Sequence, residues 1–350
     1  MKLLTTTIGA YPKPDFVELP DWFRAAAGPD TEHPTEEWAE ALARMGGDAE
    51  TILARGTQVV IEDQIACGID IPTDGEVRRE NYIHYHCRHL NGIDFERLTL
   101  RSLRQGAYSA RLPTISGPVS ARDHFLTHDW QVAQSFTDRP VKITMPGPMT
   151  IADTTANEHY DDAAKLGADL ADAINAEVLA LAEAGCRHIQ IDEPVFARKV
   201  PEALEYGLEN LERAFHGCPN DVVRTMHMCC GYPDALDNPD YPKAPKESYF
   251  DLAEAVDRSS VMAVSLEDAH RRNDLSLLER FASTTVILGV VAVAKSRVEP
   301  IEEIRAHLAE ALEHIDAERL IAAPDCGLGL LGRERALEKL KNLCEAAHSM

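Results

Sequence analysis

Val222-Val-Arg-Thr-Met-His-Met-Cys-Cys-Gly-Tyr-Pro233 is the stretch from which the rest of the chain can be read. Its apolar, β-branched lead-in predicts a strand over Val222–Met228, which Gly231 and Pro233 then end. Side chains on a strand alternate faces with period two, so His227 and Cys229 share a face and Cys230 points the other way. A histidine and a cysteine on one face at a strand end, beside a turn, are half of a tetrahedral zinc site. They also fit a core histidine beside buried cysteines, because free cysteine is among the most buried residue types. This stretch alone leaves both readings open.

Segments of the same kind recur on either side of it. They are Leu3–Gly9, Ile69–Thr73, Val141–Met145, His188–Ile191, Val261–Leu266, Val286–Val293 and Leu320–Ala323. Helical periodicity fills most of the gaps, over Asp48–Cys67, Ala163–Ala184, Glu202–Phe215, Ser248–Val256, Leu275–Phe281, Pro300–Ile315 and Arg333–Ala347. Alternating strands and helices with eight strands predict an α/β fold, a (β/α)8 TIM barrel in a single domain over residues 1–350. An open doubly wound sheet is the alternative, but no Gly-x-Gly-x-x-Gly follows the first strand. Two segments break the alternation. Gly28–Thr35 is a polar loop between Trp22 and Trp38, and Val77–Pro140 is a long excursion between strands two and three. Within the excursion, Asn81–Leu90 is helix-like. The alternating segments around Leu98–Leu103 and Leu112–Val119 predict a β-hairpin or flap beside the barrel mouth.

Composition narrows the function. The net charge of -23 argues against a nucleic-acid or anionic-membrane surface as the main partner, though not against a local basic pocket. The eight cysteines are scattered, unlike a disulfide framework. No signal peptide and no run of about 20 apolar residues is read, so the expected compartment is a reducing cytoplasm, where thiolates survive as ligands.

In a barrel, chemistry sits at the C-terminal ends of the strands. Here those ends read Thr73-Asp-Gly-Glu76, Ile191-Asp-Glu-Pro194, His227 with Cys229, Ser265-Leu-Glu-Asp268 and Pro324-Asp-Cys-Gly327. Acids after strands are common singly; acids, a histidine and two cysteines on one rim are less so. Cys326 is the best second thiolate, since Gly327 leaves its backbone room to turn. The spacing is not that of a contiguous metal motif, and zinc stays one reading among others on arithmetic alone. Asp192-Glu193-Pro194 also fits a loop-capping acid before a helix. His84, His86 and His89 fit either a second metal site or the wall of a pocket.

Across nearly its whole length the chain resembles the catalytic C-terminal barrel of cobalamin-independent methionine synthase. The resemblance rests on Thr7-Ile-Gly-Ala-Tyr-Pro12, Asp74-Gly-Glu76, Ser135-Phe-Thr-Asp-Arg-Pro-Val-Lys142, Gly147-Pro-Met-Thr150, Gln190-Ile-Asp-Glu-Pro194, His227-Met-Cys229, Ser265-Leu-Glu267 and Pro324-Asp-Cys-Gly327, in this order and spacing. It implies a stand-alone core form, without the N-terminal half of the long enzymes. It implies zinc held by His227, Cys229, Glu267 and Cys326. It implies that homocysteine is contacted by Ile8, Gly9 and Ala10, with Glu76 and Asp192 meeting its amino group as catalytic and binding acids. Two thiolates and a carboxylate would keep the centre anionic and a bound sulfur electron-rich, and the harder carboxylate ligand is the one expected to yield to a substrate thiol.

Two departures concern the methyl donor. The family's tryptophan after the Gly-Pro-Met-Thr motif, on which a pterin stacks, is absent from Ile151-Ala-Asp-Thr-Thr155. The family's Asp-x-His after strand seven is replaced by Ala292 and Ala294. The expectation is a homocysteine methyltransferase whose donor is methyltetrahydrofolate or another compound, or whose methyl group is supplied by a partner protein. The alternatives are another zinc thiol alkyltransferase, such as a coenzyme M alkyltransferase, and a non-catalytic accessory barrel.

Overall fold

A computed structural model describes residues 2–22, 34–103, 108–232, 235–239 and 241–350. Ten strands are formed among them: β1 (Leu4–Thr5), β2 (Leu90–Leu103), β3 (Tyr108–Ala121), β4 (Lys142–Pro146), β5 (Ala156–Asn157), β6 (His188–Asp192), β7 (Val223–Met228), β8 (Ala263–Glu267), β9 (Thr285–Val291) and β10 (Leu320–Pro324). Seven make one parallel, curled sheet in the order β1-β10-β9-β8-β7-β6-β4. Its middle strands are buried on both faces, which is why β9 reads as the unbroken apolar run TVILGVV and not as an alternation. Register sets the functional ends level: Asp192 on β6 lies opposite His227 on β7, which lies opposite Ser265 on β8.

Of the eight strands expected from the sequence, seven pair as ladder strands among the described residues. Ile69–Thr73 does not run as a ladder strand. It touches the two edges of the sheet by one parallel bridge each, Thr6 to Ile71 and Thr73 to Lys142. The reason is local. Pro72 has no N–H to give a ladder, and the Thr73 N–H is taken by the side chains of Gln64, at 3.0 Å, and Thr7, at 3.2 Å. The sheet is therefore a curled one of seven strands, with this segment between its edges.

Helices pack outside the sheet. The longest, Ala163–Ala184, is capped by Asp162, whose carboxylate accepts from the Ala164 and Lys165 N–H groups, and ends at Gly185 with φ 110°. Leu275–Arg280 is a short 3-10 helix and not the α-helix its pattern predicts. In the excursion, β2 and β3 pair as the expected antiparallel hairpin, and β5 adds to β3 in parallel. The helix-like Asn81–Leu90 shortens to Tyr82–Cys87, capped by Asn81, because Leu90 already begins β2. A further helix, Leu126–Gln134, buries Leu126, Trp130 and Ala133 against the helices Ala49–Cys67 and Ala163–Ala184 and against β4, and is not among the expected elements. The Gly28–Thr35 loop lies largely outside the described residues. No described helix is long and apolar enough to cross a membrane.

Candidate active site

At the C-terminal edge of the sheet, the ligand atoms of His227, Cys229 and Cys326 all lie within 4.8 Å of one another. Strand alternation puts His227 on the inner face of β7 and carries Cys229, one residue past its end, to the same side, and the turn after β10 brings Cys326 to them. His227 Nδ1 is 2.9 Å from the Ser265 hydroxyl, which orients the ring, while its Nε2 is buried without a hydrogen-bond partner. Burial lowers the His227 pKa to about 3, with Lys142 adding to the effect, so the imidazole is neutral. A buried ring nitrogen without a partner costs free energy unless something binds it, and two thiols stand beside it. This donor set fits a zinc ion.

The turn that follows is built for closeness. The Gly231 N–H donates to Cys229 Sγ at 3.3 Å, and Gly231 adopts φ 147°, where a Cβ would meet the Pro242 carbonyl oxygen at 2.5 Å. The Tyr232 hydroxyl donates to the Gly327 carbonyl at 2.9 Å, tying the turn after β7 to the turn after β10.

Glu267, the last residue of β8, is buried against Cys229 and hydrogen-bonds to its thiol, but stands outside the mutually close set of three. Burial first, and then Cys229 and Asp325, raise its pKa well above the carboxylate range. Asp325 clamps the chain after β8, accepting the N–H groups of Asp268, Ala269 and His270 at 3.0, 2.9 and 2.6 Å. Burial nonetheless raises it to about 7. Gly289 is required there, since a Cβ would come within 2.2 Å of Asp325 Oδ1.

Cys230 lies on the other side, as the alternation predicts. Its thiol donates to the Tyr249 hydroxyl at 3.1 Å, and Arg271 Nη2 reaches its sulfur at 2.9 Å. Cys230→Ala is therefore expected to keep its full zinc content, read by metal analysis of the purified variant; loss of the metal would place Cys230 in the centre.

Ile8, Gly9, Ala10, Glu76 and Asp192 line one pocket of about 60 Å³ together with His227, Cys229 and Cys326. Glu76 is held there at φ 56°, a backbone conformation costly for a residue with a side chain and concentrated at functional sites. Its Oε1 accepts from the Thr144 hydroxyl at 2.8 Å and lies 3.7 Å from Arg79 Nη1, while Arg79 Nη2 binds Asp74 at 3.0 Å. A Cβ on Gly9 would fall 2.7 Å from the same Oε1, so glycine leaves room for this acid. Asp192 Oδ1 accepts from Gln190 Nε2 at 2.7 Å, and the same amide donates to the Ile8 carbonyl at 2.7 Å. One glutamine thus sets Asp192 and the Ile8–Ala10 segment relative to each other. Burial, and then each acid's neighbouring carboxylate, raise the pKa of both Glu76 and Asp192, with Arg79 opposing. The capping role falls to Glu193, which accepts from the Met149 and Thr150 N–H groups at 2.9 and 3.0 Å and leaves Asp192 free to face the pocket.

Trp22, Tyr82 and Tyr232 complete the pocket wall. They stand in or beside loops, where no periodicity marks them. The three histidines of the excursion do not share a ligand-like cluster: neither ring nitrogen of His86 has a hydrogen-bond partner, and His84 and His89 bond different residues. His84 is 2.7 Å from the Thr35 hydroxyl and 3.2 Å from the Thr154 carbonyl, His86 is buried beside Phe125, and His89 stacks on Phe125 and bonds Asp123 at 2.6 Å. After β9, the Ala294 N–H donates to His270 Nε2 at 3.0 Å. That nitrogen carries no proton to give.

The sequence model described as "Cobalamin-independent synthase, Catalytic domain" matches residues 3–349. The methionine synthase of Saccharolobus solfataricus is 31% identical over 347 residues, 98% of this chain and 93% of its own length. That of Sulfolobus acidocaldarius is 28% identical over 97% of this chain and 90% of its own length. The structure of a B12-independent methionine synthase from Shewanella sp. W3-18-1, in complex with selenomethionine, superposes with a TM-score of 0.86 at 30% identity, covering 99% of this chain and 97% of that one. The α/β fold with a thiol-rich site at its strand ends is that of a methyltransferase. The chain belongs to the cobalamin-independent methionine synthase family and spans its catalytic domain.

Proposed function

We propose that the protein methylates homocysteine to methionine at a zinc ion held by His227, Cys229 and Cys326, with Glu267 as the fourth ligand. The observation that carries this reading is the shared pocket: Glu76 and Asp192 line the same 60 Å³ as the three close ligand residues. An amino acid with a thiol two carbons beyond its α-carbon spans such a pocket, ammonium at the acids and sulfur at the ligands. Zinc bound there supplies Lewis acidity that favours the thiolate form of a substrate sulfur at neutral pH. Glu76 and Asp192 receive the ammonium by charge-assisted hydrogen bonds, the backbone of Ile8–Ala10 receives the carboxylate, and together they orient the sulfur for attack on a methyl group. Glu267, buried against Cys229, would supply the carboxylate ligand of a bound zinc. The selenomethionine complex of the Shewanella relative supports a product-shaped amino-acid site. We also read the chain as a single (β/α)8 domain in which residues 71–73 take the eighth place, a reading supported by the two bridges on either side of them.

The donor is expected to be something other than free methyltetrahydrofolate, alone or delivered by a partner protein. The missing aromatic surface weakens pterin binding by roughly 1–3 kcal/mol, on the scale of base stacking. The acid missing at Ala294 slows departure of the folate nitrogen by about a hundred- to ten-thousand-fold. Zinc-loaded protein given homocysteine and methyltetrahydrofolate should form methionine slowly or not at all, while still binding homocysteine. Efficient turnover with no additional protein sinks this donor reading. Restored growth of a methionine auxotroph lacking its own synthases tests the overall reaction, and failure with every candidate partner gene counts against it.

A further inference from the structure

Lys142 opens β4 and is 1% exposed, yet its ammonium has no hydrogen-bond partner. Its backbone is fixed: the N–H donates to the Pro72 carbonyl at 2.8 Å, and the residue lies opposite His188 on β6. Period two puts Lys142 on the same face as Thr144, whose hydroxyl reaches Glu76 in the substrate pocket. The side chain therefore enters the interior of the curled sheet, beneath the pocket. On β6 that interior face carries Gln190, opposite Thr144, and Asp192, opposite Pro146. Two residues of a strand span roughly 6.6 Å, about the reach of an extended lysine, so Lys142 can bring its ammonium level with Gln190. Gln190 gives its Nε2 to Asp192 and to the Ile8 carbonyl, and its Oε1 is buried without a partner. A donor lacking an acceptor and an acceptor lacking a donor thus share the interior one layer below Asp192. The titratable groups that face the ammonium are Asp192, His188 and His227. Burial lowers the Lys142 pKa to about 7, and Asp192 acts against that fall. Around Asp192 itself stand Glu76 and Arg79, but Arg79 is already committed to Asp74 and to the Thr144 carbonyl. A buried, unpaired ammonium costs the fold free energy that a methionine of similar shape would not. Such a cost, with no bond to show for it beside a substrate pocket, marks a group kept for function.

We propose that Lys142 is a positioning residue for homocysteine, acting through Gln190 and Asp192 as the buried counter-charge that holds the Asp192 carboxylate ready for the substrate ammonium, an inference that rests on the homocysteine reading of the pocket. Glu76 and Asp192 repel each other across that pocket, and Arg79 offsets them only in part because it also serves Asp74. Lys142 supplies further positive charge from below. It does not line the pocket, so it steadies the acids without taking the place of the substrate ammonium.

The test is calorimetry with homocysteine on the full zinc-loaded chain, with Lys142→Met and Lys142→Gln made both in the wild type and in an Asp192→Asn background. Both substitutions are expected to leave the melting temperature unchanged or higher, since each removes a buried unpaired charge. Two replacements of different length guard against a poor fit of either. Both should weaken homocysteine binding by roughly tenfold or more, on the scale of coupling between neighbouring residues, while zinc content and the binding of a simple alkanethiol stay as they are. Asp192→Asn keeps the sulfur contact, so homocysteine still binds it measurably. In that background the Lys142 substitutions should add less than about a twofold loss, because the carboxylate through which Lys142 acts is gone. Unchanged homocysteine affinity, equal losses in the two backgrounds, an equal loss for the alkanethiol, or a lower melting temperature in both substitutions overturns the assignment. Failure of the wild type to bind homocysteine overturns the reading of the pocket instead.

Discussion

Cys326→Ser is expected to lose its zinc and, with it, methionine formation. The thiol of Cys326 is one of three ligand atoms within 4.8 Å of one another, and it comes from a different strand end from the other two. Without it the proposed set falls from four ligands to three, His227, Cys229 and Glu267, and keeps one soft thiolate in place of two. Losing an outer-shell partner alone costs about 10–100-fold in metal affinity, and losing a ligand should exceed that. Serine keeps the size and removes the soft donor, so the fold should survive. Metal analysis after dialysis against a weak chelator, with the melting temperature as control, gives the answer. Stoichiometric zinc retained in Cys326→Ser would show that the ligand set lies elsewhere.

Asp192→Ala is expected to weaken homocysteine binding by roughly 3–5 kcal/mol, the cost of removing one partner from a buried charge pair, and to leave zinc in place. The side chain is buried, is oriented by Gln190, and is separate from the three metal-binding candidates. The effect should be confined to thiols that carry an amino group. A simple alkanethiol should bind the variant and the wild type alike. If the wild type also binds that thiol as tightly as homocysteine, Asp192 does not read the ammonium.

Much of this arrangement is legible in the sequence, and the parts that are not fail for identifiable reasons. Buried parallel strands read as apolar runs with polar ends, so β4, β6, β7, β9 and β10 fall close to where the pattern puts them. Period two alone separates Cys229 from Cys230, and the contacts of Cys230 with Tyr249 and Arg271 follow it. Residues 69–73 carry the same apolar signal, but the pattern cannot show that Pro72 and two side-chain acceptors replace the ladder. The helix Leu126–Gln134 escapes because its buried face is short and includes Asp129. Glu267 is recognisable as an acid at a strand end, but only the fold shows that it lies against Cys229 in particular. The aromatic walls Trp22 and Tyr232, in loops, and Tyr82, at the start of a short helix, come together from far apart in sequence, where periodicity says nothing.

Homocysteine sulfur is expected to meet a metal bound by His227, Cys229 and Cys326. Calorimetric titration of homocysteine into zinc-loaded and metal-stripped protein, in two buffers of different ionisation enthalpy near neutral pH, tests it most directly. A free thiol with a pKa near 8.5 is mostly protonated there, so binding as a thiolate should release about one proton per site. The expected result is tight binding with proton release to the loaded protein and weak binding without it to the stripped protein. Equal affinity for the two forms, with no proton released, would contradict the account.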